Sequence, residues 1–252
     1  MRIWVPEGKL RVETWDRDSI RVSGKVGRGA HFFGGGSGRS AKVGIEWDDH
    51  SNTVLPHGEL VVTVPRMAHV WVKMTDGEMI AINTAGELDV ITVTGSVTVQ
   101  DAQGVVSVET IDAAVTLAGI TGEVRVRSGG GRITLKQIHG TLTAATVSGA
   151  VDLAGVVMQD ARIETIGGGI TVRGSVAHAA LLELETHGGA ITLYVDRLAV
   201  PSLALASRAG AVKNPLGAGN TSTGKITAHS FKGDINVVPV SGIEGKKANT
   251  PP

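Results

Sequence analysis

The chain has 252 residues, of which 42% are hydrophobic but only 3% aromatic, and it contains 35 glycines and no cysteine. The lack of cysteine excludes disulfides and thiolate chemistry. The balance of 24 basic against 24 acidic side chains predicts neither a nucleic-acid nor a membrane partner. No apolar run approaches the ~20 residues of a membrane-spanning helix, so the sequence predicts no transmembrane segment.

The first 72 residues differ from the rest because they hold all four tryptophans. Apolar and polar residues alternate in several short stretches here, which is the period of strands with one buried face. We interpret residues 1–72 as an irregular β cap, or irregular first coils, ahead of a regular repeat. The predicted strands lie at residues 10–15, 19–22, 43–47, 60–64 and 70–72.

A glycine-rich segment, residues 27–40, interrupts this region with six glycines, two arginines and two adjacent phenylalanines. It predicts a mobile binding loop, because functional groups are often carried on loops. A phosphate-binding loop is excluded, since the segment ends Gly38-Arg39-Ser40 and a strand pattern follows it instead of a helix. The competing interpretation is a flexible hairpin connection whose phenylalanines fold back onto the cap. The candidate binding residues are Arg28, His31, Phe32, Phe33 and Arg39.

Four candidate metal ligands follow, Asp48, Asp49, His50 and His57. Carboxylate and imidazole groups bind divalent cations, but this spacing matches no ligand motif. The run Asp-Asp-His-Ser-Asn is typical of a turn. We therefore predict a turn here, with no metal and no cofactor.

From residue 77 onward a glycine falls every nine residues, with one alanine in the series. The second and fourth residues after each of these positions are apolar, and so is the seventh after most of them, as in Val106, Val108 and Ile111 after Gly104. The first two alternate like a half-buried strand. The third is predicted to turn inward at a corner, where glycine supplies positive φ or close backbone approach. The series is Gly77, Gly86, Gly95, Gly104, Ala113, Gly122, Gly131, Gly140 and Gly149.

Two nine-residue units make one coil, because equivalent side chains in two rows recur every 18 residues, and later every 19 to 21 residues. The pattern predicts an all-β fold, a two-faced β-solenoid with ~18-residue coils whose apolar side chains stack inside. The regular solenoid is predicted at residues 73–207, a closing coil at 208–240 and a disordered tail at 241–252. The first row points outward and consists of Thr98, Thr116, Thr134, Thr171 and Thr192. The second row ends the other set of strands and consists of Thr110, Ser128, Thr146, Thr165, Thr186 and Ser207.

Several segments, Glu7–Asp16, Val64-Pro65, Ile120–Val124 and Thr146–Val151, resemble the bacterial putative-adhesin family of β-strand-repeat domains of unknown function. The resemblance covers nearly all of residues 1–240. It implies a β-repeat fold and a place in the cell envelope or outside the cell, and it supplies no catalytic residues. The start of the chain lacks the apolar region of a signal peptide, so a cytoplasmic location is the alternative.

The outward side chains argue against three specialised functions. An ice-binding face needs two ranks of threonine per strand, whereas here there is one rank, interrupted by Asp152. The repeats of calcium-binding β-rolls are absent. A β-helix carbohydrate-active enzyme would need paired carboxylates and longer loops around a cleft, and none stand out. Charges alternate in sign along the second face, which predicts cross-strand ion pairs.

The sequence therefore predicts a non-enzymatic, envelope-associated binding or adhesin-like module. Its partner would be an envelope component or a protein. The main alternative is a structural scaffold that forms homo-oligomers through the solenoid ends. A carbohydrate-active enzyme is the least favoured interpretation.

Overall fold

The structure is a computed structural model that describes residues 1–38, 40–47, 54–155, 157–174 and 180–241. These residues form 18 strands and no helix, which confirms the all-β prediction. The strands are β1 Arg2–Trp15, β2 Arg21–Val26, β3 Ala30–Ser37, β4 Ser40–Trp47, β5 His57–Pro65, β6 Val70–Ile82, β7 Glu87–Gln100, β8 Gln103–Ser128, β9 Ile133–Thr146, β10 Val151–Ala154, β11 Val157–Thr165, β12 Ile170–Arg173, β13 Leu181–Thr186, β14 Ile191–Asp196, β15 Pro201–Ser207, β16 Val212–Lys213, β17 Asn220–Ser230 and β18 Ile235–Val240.

Successive coils pair in parallel, in the register that the repeat predicts. Val97 lies beside Val115, which lies beside Ile133, which lies beside Val151. Alternate residues point inward and are buried, so stacking joins the coils into one core. This confirms the two-faced solenoid with 18-residue coils. We name its sides by their outward residues: the threonine face carries Thr98, Thr116, Thr134, Thr171 and Thr192, and the charged face carries Glu109, Arg127, Arg162, Glu164 and Glu185.

The two corners of each coil differ, which corrects one part of the repeat prediction. At the corner that follows the threonine face, the seventh residue after the repeat position turns inward as expected. Its members Ala102, Ile120 and Ile138 are buried. After the charged face, Ile111 is 63% exposed, so its predicted inward position was wrong. The inward position at this corner belongs to the preceding hydroxyl residue. The Thr110 hydroxyl accepts a hydrogen bond from the Ala113 N–H at 2.9 Å and closes the corner.

Close approach between neighbouring coils explains more of the repeat glycines than a need for positive φ does. Of the two predicted reasons for glycine, positive φ holds at Gly122, whose φ is +136°, but Gly131 is not among the positive-φ residues. A Cβ on Gly122 would lie 2.1 Å from the Gly104 carbonyl oxygen, and one on Gly131 would lie 1.9 Å from that of Ala113. Both glycines therefore stack directly on the backbone of the preceding coil.

The coils near the C-terminal end are stacked out of chain order. We expected Ser207 to follow Thr186, but Ser230 lies beside Thr186 and Ser207 lies beyond Ser230. The β17–β18 coil is thus inserted between the β13–β14 coil and the β15–β16 coil. The exchange costs little, because each of these coils ends its charged-face strand with a hydroxyl residue and offers the same kind of apolar surface.

Both ends of the stack are covered. Strand β1 lies inside the stack, between β5 and β6, while β2 and β3 pair antiparallel with β5 and β4 on the outer side. At the other end, Leu216 packs against the core, and the Leu203 N–H donates to the Ala218 carbonyl at 2.9 Å. Covers of this kind protect the unpaired backbone groups at the end of a solenoid.

Candidate functional site

One corner of the solenoid presents a row of side chains to solvent, most of them apolar. Each follows the hydroxyl residue that turns inward at the end of the charged face, so it must itself point outward. Ile111 is 63% exposed and Ile166 is 58% exposed. An exposed apolar row of this kind is characteristic of an interaction site where a concave wall lies beside it. In spatial order the row, here called the corner row, is Val93, Ile111, Gly129, Val147, Ile166, His187, Phe231 and Arg208.

An open groove of about 840 Å³ follows the corner row from Val147 to Phe231. Its floor is the row itself together with the hydroxyl residues beneath it. Its wall is formed by outward side chains of the charged face. Five coils contribute to it, and Arg162 and Glu164 come from the same strand. The wall residues are Arg127, Ala145, Arg162, Glu164, Glu185 and His229.

The C-terminal end of the groove is aromatic. The rings of His187 and Phe231 stack with centroids 4.7 Å apart and planes 13° from parallel. The Arg208 guanidinium lies 5.1 Å from the Phe231 ring centroid, within the range of a cation–π interaction. The three residues meet only because the β17–β18 coil is inserted out of order.

The wall carries charges of both signs. Arg162 is bonded to Glu164 and lies 3.5 Å from Glu183 on the next coil. The hydrogen bond to Glu164 raises the pKa of Arg162 above its ordinary value, so the guanidinium stays charged. Glu185 and His229 are opposite each other in register and form no ion pair within the described part of the chain. The predicted cross-strand pairing is thus present at Arg162, while Glu185 and His229 remain available to a ligand.

Ser128 adds an unused polar group at the other end of the groove. Its hydroxyl oxygen is buried and has no hydrogen-bond partner among the described residues. The equivalent hydroxyls of Thr146, Thr165 and Thr186 each accept the N–H of the residue three positions later.

The predicted binding residues of segment 27–40 lie elsewhere, at the N-terminal end. Residues 30–37 form strand β3, so the expectation of a loop was wrong, and Arg28 is exposed in the turn before it. Phe32 lies opposite Ile45 and Phe33 opposite Gly44, so the two rings point to different faces and do not form one anchor. Arg39 is outside the described residues. The binding role of this segment stays a prediction.

The candidate metal ligands are only partly described. Asp48, Asp49 and His50 are outside the described residues, and His57 lies 3.6 Å from Glu7.

A different set, His69, Glu87 and Asp89, brings its ligand atoms within 4.8 Å of one another. Both imidazole nitrogens already face carboxylates, at 2.8 Å for Asp89 and 3.5 Å for Glu87. An ion-paired cluster accounts for this arrangement. Sequence reasoning missed it because its residues come from two coils.

These features define an all-β solenoid with an exposed groove at one corner. Residues 8–238 match the Toastrack DUF4097 family, a domain family of unknown function, and the chain belongs to that family. The resemblance inferred from the sequence is thereby confirmed as a β-repeat family of unknown function.

Among solved structures, the chain is similar to a putative cell adhesion protein from Clostridium sporogenes. The identity is 10%, the TM-score is 0.27, and the match covers 95% of this chain and 91% of that one. A search of curated proteins found no match. Among the described residues, there is no helix with the length and apolar character needed to cross a membrane.

Proposed function

We propose that this protein is a non-enzymatic, adhesin-like binding module that holds an extended polypeptide segment of an envelope partner along the corner groove. The observation that carries the proposal is the groove itself, an open channel of about 840 Å³ with a solvent-exposed apolar floor. Isolated apolar side chains are common on protein surfaces, but a continuous row beside a concave wall is characteristic of an interaction site.

The dimensions of the groove suit an extended chain. From Val147 through Ile166 and His187 to Phe231 the floor crosses four coils. Strands in a sheet lie about 4.8 Å apart, so the floor is roughly 14 Å long, enough for four or five residues of extended polypeptide at about 3.3 Å each. Apolar side chains of the ligand would lie on the floor.

The chemistry of the wall favours a polypeptide over a polyanion. Arg127 and Arg162 stand in it together with Glu164 and Glu185, so the wall complements a ligand that itself carries both signs of charge. The floor contains one phenyl ring, whereas sugar polymers are usually held by several aromatic platforms.

The hydrogen-bond partners of the hydroxyl groups in the groove support binding without catalysis. Covalent catalysis needs a hydroxyl bonded to a base such as histidine or a carboxylate. Among the described residues of the groove, the hydroxyls of Thr165 and Thr186 accept backbone N–H groups, and Ser128 has no partner. His187 is stacked on Phe231.

The test is co-sedimentation of the full chain with intact bacterial cells, before and after protease shaving of their surface. Ile166→Glu places a charge on the groove floor, whereas Ile111→Glu makes the same change at an equally exposed corner position outside the groove. We expect shaving and Ile166→Glu to lower binding to the same residual level, and Ile111→Glu to leave it unchanged. Equal binding by all three proteins, or equal binding to intact and shaved cells, would refute a polypeptide ligand in the groove.

Two other proposals are tested alongside, the first of them in the same assay. The Phe32→Ala/Phe33→Ala double variant examines the predicted role of segment 27–40, and retained binding would remove that segment from the site. Self-assembly through the solenoid ends is examined by sedimentation equilibrium. Both ends carry covers, namely β2 and β3 on one side and the turn around Leu216 on the other, so we expect a concentration-independent monomer.

A further inference from the structure

A second surface, remote from the corner groove, combines aromatic rings with cations. It lies on the charged-face side at the N-terminal end of the stack, where β3, β4, β1 and β6 are neighbours. Across these strands Phe33 is opposite Gly44, Gly44 is opposite Trp4, and Trp4 is opposite Lys73. We call this surface the aromatic–cationic patch, and its members are Arg2, Trp4, Phe33, Lys42, Trp71 and Lys73.

The three cations of the patch form no ion pair within the described part of the chain. Arg2 and Lys42 are directly opposite each other in register, although like charges in that arrangement are destabilising. Lys73 lies 5.8 Å from the Trp4 ring centroid, and the carboxylate in register with Trp71, that of Asp89, is already paired with His69. In a protein with equal numbers of basic and acidic residues, three adjacent unpaired cations indicate a site for an anionic ligand.

The Phe33 ring of the patch lies over the sheet, and two tryptophans lie on neighbouring strands. A Cβ on Gly44 would lie 2.6 Å from the Phe33 ring, so the absence of a side chain at Gly44 is what admits the ring over β4. Trp4 is 50% exposed, and Trp71 on the neighbouring strand is half-buried. The Phe33 ring, which lies over β4, therefore has its outer face free for another flat ring to stack on.

We propose that the aromatic–cationic patch binds an anionic polysaccharide. Sugar rings would stack on Trp4 and Phe33, and the carboxylate or sulfate groups of the polymer would pair with Arg2, Lys42 and Lys73. The protein would then hold a glycan through this patch and a polypeptide through the corner groove. The patch proposal does not depend on the groove, because the two surfaces share no residue.

The test is calorimetric titration of the full chain with polygalacturonate and with dextran sulfate, using neutral dextran as the uncharged comparison. Lys42→Gln/Lys73→Gln removes two cations of the patch. Lys136→Gln/Lys213→Gln removes two exposed cations elsewhere and is the matched control. We expect the patch variant to bind roughly two- to thirtyfold more weakly, as the loss of two exposed ion pairs allows. The control should bind like the parent, and added salt should weaken binding.

A second variant separates stacking from charge. Trp4→Leu keeps all three cations, and its half-exposed position makes unfolding unexpected. We expect it to lose affinity at any salt concentration, together with the change in tryptophan fluorescence that the polymer causes in the parent. The proposal is overturned if neither acidic polymer binds, if the patch and control variants lose affinity equally, or if Trp4→Leu has no effect. Tighter binding to phosphatidylglycerol vesicles or to oligothymidylate would also overturn it, in favour of a membrane or a single-stranded nucleic acid.

Discussion

His187 and Phe231 stack with their ring centroids 4.7 Å apart, although the whole β15–β16 coil lies between their coils in the chain. The contact exists because the β17–β18 coil is inserted beside β13 and β14. The same insertion places Arg208 over the outer side of Phe231. The aromatic end of the groove is therefore a direct consequence of coil order.

This relationship gives a test of the coil order. In a double-mutant cycle on His187→Ala and Phe231→Ala, measured by urea unfolding, we expect a coupling energy of about 0.5–1.5 kcal/mol, the usual value for stacked rings. The pair His187→Ala and Phe32→Ala serves as control and should be additive, since these residues lie at different ends of the stack. Additivity of the first pair would mean that the β15–β16 coil lies next to β13 after all.

The core could be predicted from sequence because its signal is repeated in every coil. Val97, Val115 and Ile133 occupy equivalent positions one coil apart, and each is buried. A strict period of this kind fixes which side chains face inward and which pair across strands. The exposure of Ile111 was not predicted, because hydrophobicity alone does not show which side chain turns inward at this corner. Thr110 takes the inward position by accepting a hydrogen bond from the Ala113 N–H.

Coil order could not be predicted, because the coils are so alike that each fits beside several others. The same likeness made the repeat easy to detect. Thr186 can be followed by Ser207 or Ser230 with the same alternation and the same corner hydrogen bond, made to Gly210 or to Gly233. Nothing local distinguishes the two neighbours. The groove and the aromatic–cationic patch depend on this order and on the inserted position of β1, so both require the three-dimensional structure.

Val126→Asp tests the inward assignment on the charged-face strands. Val126 is 1% exposed within the stack, and an unpaired carboxylate there would lack solvation and partners. We expect a loss of at least about 3 kcal/mol in the free energy of unfolding, or complete unfolding. Arg125→Asp, on the outward side of the same strand, should change stability by less than about 1 kcal/mol. Thermal melting followed by circular dichroism measures both, and an unchanged melting temperature for Val126→Asp would contradict the assignment.

Gly131→Val tests the stacking of backbone on backbone. The new Cβ would lie 1.9 Å from the Ala113 carbonyl oxygen, so the two coils must separate locally. Because the obstacle is backbone, we expect a loss of about 2–3 kcal/mol or more. Gly35→Val is the matched control, since a Cβ there meets nothing within 4 Å in strand β3, and valine favours strands. Similar denaturant midpoints for the two variants would show that the coils have room for a side chain.

Thr165→Val tests whether the buried hydroxyls hold the corners. The Thr165 side chain is 5% exposed, and its hydroxyl accepts the Gly168 N–H at 2.9 Å. Valine keeps the shape but leaves that N–H without its partner, which should cost about 1–3 kcal/mol. Ser128→Ala removes the corresponding hydroxyl at a coil where it has no described partner, so this variant should be neutral or slightly stabilising. If chemical denaturation found the two changes equally costly, the hydroxyls would be contributing through packing, and the corner hydrogen bond would not explain the threonine and serine in this row.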